Sequence, residues 1–270
     1  MEYVLRDVLE GRDGKARRQR IARGFYGRVV GGDNSEPEDG LDVVTTLDLE
    51  MQDVADRALR RQLEAQNALW GTALVMEVAT GDLLAMANLS RTKSGAYAEV
   101  KNHALSSRME PGSTFKLAAL LALVDDAGMS LDETFDTGNG ARVKVGRTTV
   151  QDSHGLPPLN LKDAVAHSSN VFFARAVYET YKDDPERYVD YLRHLHLDRT
   201  VGLEEFGAVA PIFPAPGMKI WYPDVSIVNM GYGYAIELTP LHTLTLYNAV
   251  ANDGCMVAPR LVREIRRGGE

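Results

Sequence analysis

The stretch Glu110-Pro111-Gly112-Ser113-Thr114-Phe115-Lys116 decides the reading of this 270-residue chain. It sets a hydroxyl and an amine one helical turn apart, and residues 117–124 after it are only Leu, Ala and Val. Side chains at i and i+3 share one helix face, so the Lys116 amine can reach the Ser113 oxygen. A serine hydroxyl is a weak nucleophile until a neighbouring base accepts its proton. Lysine can be that base only when neutral, which requires burial or nearby positive charge to lower its pKa from about 10.4 towards 7. The start of a helix also presents free N–H groups and a partial positive charge, where an oxyanion is favoured. Taken alone, Ser-x-x-Lys is a weak pattern, as readily a helix cap beside a solvated lysine. The apolar run directly after Lys116 weighs against leaving that lysine in water.

Ser168-Ser169-Asn170 forms a second constellation, between stretches 161–167 and 171–181 with helical patterning. By itself it reads as an N-cap with a polar neighbour. Its place about fifty residues after Ser-x-x-Lys changes that, because the ordered pair S-x-x-K then S-x-N resembles the penicillin-binding proteins and serine β-lactamases.

The resemblance is closest to class B penicillin-binding proteins and covers nearly the whole chain. The 110–116 stretch resembles their E-P-G-S-x-x-K, and Asp152-Ser153-His154 their approach to S-x-N. Met230-Gly231-Tyr232-Gly233 with Thr239-Pro240 is similar to their G-x-G-Y-G and T-P segment. Thr46-Leu47-Asp48 with Gln52 resembles their T-x-D-x-x-x-Q, and Leu9-Glu10-Gly11-Arg12-Asp13-Gly14 their linker L-x-G-x-D-G. The family's third motif, K-[ST]-G, does not follow Asn170. The tripeptide Lys93-Ser94-Gly95 precedes Ser113, in a polar loop, and reads as coincidence. The expectation is therefore a family member shortened at its C-terminus, without the strand that lines the pocket and supplies a second oxyanion N–H.

Composition is that of a globular chain, with 44% hydrophobic and 25% charged residues. A net charge of −8 argues against a nucleic-acid surface. The basic run Lys15-Ala16-Arg17-Arg18-Gln19-Arg20 with Arg23 reads as a solvated face. No apolar run approaches the roughly 18 residues of a membrane span, and the N-terminus lacks signal-peptide character. The single Cys255 forbids an intrachain disulfide. His194 and His196 are two apart and do not share a helix face, so no metal site is expected. His154 and His167 lie near S-x-N, where surface or core roles outweigh a place in the pocket.

The pattern predicts strands at 43–47, 142–145, 148–151 and 261–266, and a hairpin of 72–78 with 82–87 across Thr80-Gly81. Helices are predicted at 49–68, from Ser113, at 161–181, at 185–195 and at 240–251, with a proline-rich loop at 211–223. Helices beside an antiparallel sheet give an α+β domain. Its implied form is the β-lactamase/transpeptidase-like fold with the sheet left incomplete. Residues 1–40 read as the end of a linker or pedestal domain and 41–270 as the transpeptidase domain.

The resemblance implies a peptidoglycan D,D-transpeptidase working through a serine acyl-enzyme and acylated by β-lactam antibiotics. It casts Ser113 as nucleophile, Lys116 as base, Ser168 as proton relay and Asn170 as holder of the substrate backbone, with no cofactor or metal. Stem peptides of peptidoglycan are the implied substrates, and membrane proteins of the division or elongation machinery the implied partners. The Glu-Pro-Gly and Asp-Ser-His contexts favour a cell-division role, at the outer face of the cytoplasmic membrane or in the periplasm. A β-lactam sensor or inactive fragment, and a carboxypeptidase or β-lactamase-type hydrolase, are the rival readings.

Overall fold

A computed structural model describes residues 2–15, 18–23, 25–28 and 35–268. Ala16 and Arg17 of the basic run, and Gly31-Gly32-Asp33-Asn34, whose composition reads as a loop, lie outside the described residues. The N-terminal part contains a one-turn helix α1 (Arg6–Leu9) and a hairpin of β1 (Arg18–Ala22) with β2 (Phe25–Arg28), neither anticipated from composition.

The sheet side begins with β3 (Asp42–Thr45), which pairs antiparallel with the last strand of the chain. Helix α2 (Leu49–Gln66) follows, with Asp48 as its N-cap accepting from the Met51 amide at 2.9 Å. Strands β4 (Trp70–Met76) and β5 (Leu83–Arg91) form the expected hairpin, turned at Gly81 with φ +76°, and β6 (Tyr97–Ala98) completes a three-stranded sheet in the order β4-β5-β6. The apolar side of α2, Ala55, Leu59 and Leu63, packs on Ala85, Ala87, Leu89 and Tyr97.

The T-x-D-x-x-x-Q motif is explained by these contacts. Thr46 Oγ1 donates to the carbonyls of Leu83 at 2.8 Å and Arg260 at 2.9 Å, tying two segments together. Gln52 reads the outer edge of β5, accepting from the Met86 amide at 2.8 Å and donating to its carbonyl at 3.3 Å. Both satisfy backbone groups that a buried strand edge would otherwise leave unpaired. Buried Asp82, 2% exposed, receives Arg260 at 2.5 Å and Arg263 at 3.0 Å and fastens the start of β5 to the chain's end. Among the described residues β4 pairs only with β5, so its other edge is free.

The helical side starts at α3 (His103–Ser106) and the Ser113 helix. That helix is a 3-10 turn (Gly112–Phe115), then α4 (Lys116–Leu121), then a π turn (Ala122–Asp126). Tyr181 donates to the carbonyl of Ala122 at 2.8 Å, across the π turn. A short segment β7 (Thr134–Phe135), the hairpin β8 (Val143–Val145) with β9 (Thr148–Val150), and β10 (Leu159–Asn160) come next.

The two helical stretches on either side of Ser168-Ser169-Asn170 form separate helices. The chain makes α5 (Leu161–Ala166) and α6 (Asn170–Tyr181), separated by Ser168 in the left-handed region at φ +52°. Ser169 N-caps α6 by accepting from the Phe172 amide at 3.0 Å. Ser169 is thus the N-cap that the Ser-Ser-Asn segment suggests, and it starts the second helix. Helices α7 (Pro185–His194), α8 (Ser226–Met230) and α9 (Pro240–Ala251) and strand β11 (Val262–Arg266) complete the order.

The main core lies among the helices. Phe115, Ala118, Ala119, Ala122 and Leu123 of the Ser113 helix meet Phe172, Phe173 and Val177 of α6 and Tyr188 and Leu192 of α7. One side of the Ser113 helix is thereby buried, from Phe115 to Leu123.

Candidate active site

The site is built where the start of the Ser113 helix faces the turn between α5 and α6. Two neighbouring segments set the first of these. Met109 and Leu238 exchange backbone hydrogen bonds at 2.9 Å in both directions, and Gly112 donates to the Gly233 carbonyl at 2.9 Å. Glu110 Oε1 accepts from the Ala235 amide at 3.0 Å. The Tyr247 hydroxyl of α9 reaches the Thr114 carbonyl at 3.1 Å. Gly233 of the Met230–Gly233 motif and Leu238, just before Thr239-Pro240, thus brace the turn that carries Ser113. Gly233 itself has φ +91°, and a Cβ there would stand 1.9 Å from the Gly112 oxygen, so this approach requires glycine.

All four residues singled out in the sequence converge on one amine. Lys116 Nζ lies 3.2 Å from Ser113 Oγ, 3.0 Å from Ser168 Oγ, 2.5 Å from the Ser168 carbonyl and 2.7 Å from Asn170 Oδ1. Lys116 is buried, while Ser113 and Ser168 are exposed and Asn170 is half-buried. A buried amine thus sits beneath two open hydroxyls. Ser113 occupies the first turn of its helix, where N–H groups lack intrahelical acceptors.

Burial pushes Lys116 down to about 8, against the pull of the Asp152 negative charge. This is short of the value near 7 that a general base ideally has, yet about a tenth of the amine is neutral at pH 7. An ammonium has three hydrogens for four acceptors; a neutral amine offers a lone pair that can receive the Ser113 proton. The arrangement can therefore activate a serine and pass a proton between two hydroxyls.

Other candidates lie elsewhere. Lys93-Ser94-Gly95 forms the exposed turn between β5 and β6, closed by Thr92 and Ala96. His154 and His167 are exposed, His154 beside Ser153 at 3.0 Å. Cys255 is exposed. Among the described residues there is no group of three metal-ligating side chains and no helix long and apolar enough to cross a membrane. Asp152, quoted in the sequence only as part of a motif, is buried against the turn that carries Ser168 and Asn170; its isolation between polar neighbours gave no periodic signal.

Residues 71–267 match the penicillin-binding protein transpeptidase domain. The chain is 30% identical over 97% of its length to penicillin-binding protein PbpB of Mycobacterium tuberculosis, covering 39% of that protein. It is 26% identical over 95% of its length to the probable peptidoglycan D,D-transpeptidase PenA of Neisseria meningitidis serogroup A, covering 44%. The chain spans about two fifths of the length of these curated relatives. Penicillin-binding protein 3 of Mycobacterium tuberculosis, solved in complex with aztreonam, superimposes with a TM-score of 0.76 at 27% identity, over 88% of this chain and 53% of that one. Penicillin-binding protein 2X of Streptococcus thermophilus shares the fold with a TM-score of 0.81 at 21% identity, over all of this chain and 40% of that one. With this α+β fold and this match, the chain belongs to the penicillin-binding protein transpeptidase family and is homologous to its class B members.

Proposed function

We propose that this chain carries the acyl-transfer centre of a peptidoglycan D,D-transpeptidase, with Ser113 as nucleophile. The observation that supports it most is the single amine, Lys116 Nζ, in contact with Ser113, Ser168 and Asn170 together. Neutral Lys116 takes the Ser113 proton as Oγ attacks the carbonyl carbon of the penultimate D-alanine of a stem peptide. The peptide C–N bond then breaks, and the proton passes through Ser168 to the departing D-alanine amine. Asn170 holds the substrate backbone. The ester on Ser113 is attacked by the amine of a second stem, which forms the cross-link and returns the proton to the site. β-Lactams acylate Ser113 in the same way, their ring amide standing in for the scissile bond.

Among the described residues the second edge of β4 carries no partner strand. That edge adjoins an apolar cleft of about 420 Å³ lined by Thr72, Leu74, Pro240, Leu244, Tyr247 and Thr114, the residue after Ser113. Residues 1–40 belong to a linker preceding the transpeptidase domain. The role is septal wall synthesis outside the cytoplasmic membrane, beside membrane proteins of the division machinery, a reading supported by the Glu-Pro-Gly and Asp-Ser-His contexts.

The test is product analysis with a pentapeptide stem and an acceptor stem amine. Cross-linked dimer with stoichiometric release of D-alanine supports the transpeptidase. Hydrolysed tetrapeptide without dimer would replace it with the carboxypeptidase reading, and neither product with a stable β-lactam adduct would favour a sensor.

A further inference from the structure

Helix α6 begins with an arrangement that its own sequence does not supply. The first N–H groups of a helix have no intrahelical acceptor. Ser169 Oγ satisfies only the Phe172 amide. The Asn170 and Val171 amides are instead taken by one oxygen of Asp152, at 2.5 and 3.2 Å. The other oxygen of Asp152 accepts from the Ser169 hydroxyl at 2.8 Å. A carboxylate from eighteen residues upstream of Asn170 therefore caps the helix, where negative charge is also favoured.

This cap stands next to a strained residue. Ser168 has φ +52°, a left-handed conformation that is unfavourable for a residue carrying a Cβ. The strain persists only if the surroundings impose it. Behind Ser168, its amide and that of Ser169 turn back to the Val165 and Ala164 carbonyls. Ahead of it, Asp152 grips Ser169, Asn170 and Val171. The turn so held aims the Ser168 oxygens and Asn170 Oδ1 at Lys116 Nζ.

We infer that Asp152 is a positioning residue of this site: its hydrogen bonds to Ser169, Asn170 and Val171 lock the Ser168–Asn170 turn against Lys116. The groups in contact with Lys116 are Ser113 from its own helix, Ser168 and Asn170 from the turn and the Phe173 ring of α6, none of them charged; behind Asn170 stands Asp152, whose negative charge favours the ammonium. The two effects of Asp152 oppose each other. Its charge favours the ammonium and so withholds neutral amine, while its hydrogen bonds build the geometry in which the neutral amine is useful. The inference rests on the proposed function only in treating Lys116 as a base, and its test needs no acylation.

Two NMR measurements on this chain test it. In the unsubstituted protein, hydrogen exchange at the Asn170 and Val171 amides is expected to be as slow as at amides of the second turn of α6. Fast exchange at both would overturn the cap. Lysine labelled with ¹³C at the ε-carbon, with Lys116 assigned by loss of its signal in Lys116→Arg, reports the titration of the amine. In Asp152→Asn the midpoint is expected to fall by about half to one pH unit, a three- to tenfold change in proton affinity. A folded Asp152→Asn protein with an unchanged or raised midpoint would overturn the electrostatic role. Should that variant not fold, the exchange measurement still decides the cap. Absence of any β-lactam adduct on Ser113 would count against the proposed function and leave both NMR results standing.

Discussion

Acylation of Ser113 should depend on pH through the neutral fraction of Lys116, and the structure sets the scale. The amine is held at about 8 by burial, with Asp152 opposing. Below that value each pH unit removes about tenfold of the neutral form, so the fraction is about 1% at pH 6, about 10% at pH 7 and about half at pH 8. The acylation rate with a fluorescent penicillin, followed by stopped flow, should rise roughly fifty-fold from pH 6 to pH 8 and level off above it. Lys116→Arg cannot supply a neutral base in this range and should lose the profile together with the rate. The same burial has a consequence for stability. The folded state binds the Lys116 proton more weakly than the unfolded chain, whose amine titrates near 10.5. Stability is therefore lost as pH falls from 10.5 through 8, by roughly 3 kcal/mol at the lower limit. A profile flat from pH 6 to 8, or breaking near 6.5 as a histidine would, refutes the assignment of Lys116 as the base.

Three further perturbations follow from the framework around the site. Gly233→Ala puts a methyl group on the Gly112 oxygen and strains φ +91°, and should lower the urea unfolding free energy by roughly 3 kcal/mol while displacing Ser113 enough to abolish acylation. Burial raises the Asp82 carboxyl, but the hydrogen bonds and charges of Arg260 and Arg263 outweigh this and hold it below the usual carboxylate value. Its stabilising effect is thus present above about pH 4 and lost as pH falls further, and Asp82→Asn should cost about 2 kcal/mol in denaturant titration at pH 7. Tyr181→Phe removes the hydroxyl that reaches Ala122 and Asp126 at the π turn, and should cost about 1–2 kcal/mol in the same assay.

What the sequence makes legible is local or periodic. Helix α2 follows from Asp48 as a cap and Ala55, Leu59 and Leu63 on one side, and the hairpin of β4 and β5 from Gly81. Ser113 and Lys116 could be placed on one face because three residues on a helix fix their separation. The ordered spacing to Ser168 and Asn170 carried the rest of the site, and the structure brings all four together. What stayed hidden depends on contacts between distant segments. The cap between the 161–167 and 171–181 stretches is legible, but nothing around Ser168 announces a left-handed residue. Asp152 lies between polar neighbours, and its importance is visible only when the α6 amides are traced to their acceptor. Likewise Gly233 is one of 24 glycines until the Gly112 carbonyl is seen against it. The roles of Thr46 and Gln52, which bind backbone groups of β5, also have no local signature.

The most direct measurement is intact-mass spectrometry of the folded chain after incubation with benzylpenicillin, alongside Ser113→Ala. The three side chains gathered on Lys116 predict one adduct of the antibiotic's mass per chain, located on the peptide containing Ser113 and absent from the variant. An adduct that survives in Ser113→Ala, or none on a chain shown to be folded, would contradict the claim that these residues form an assembled acylation centre.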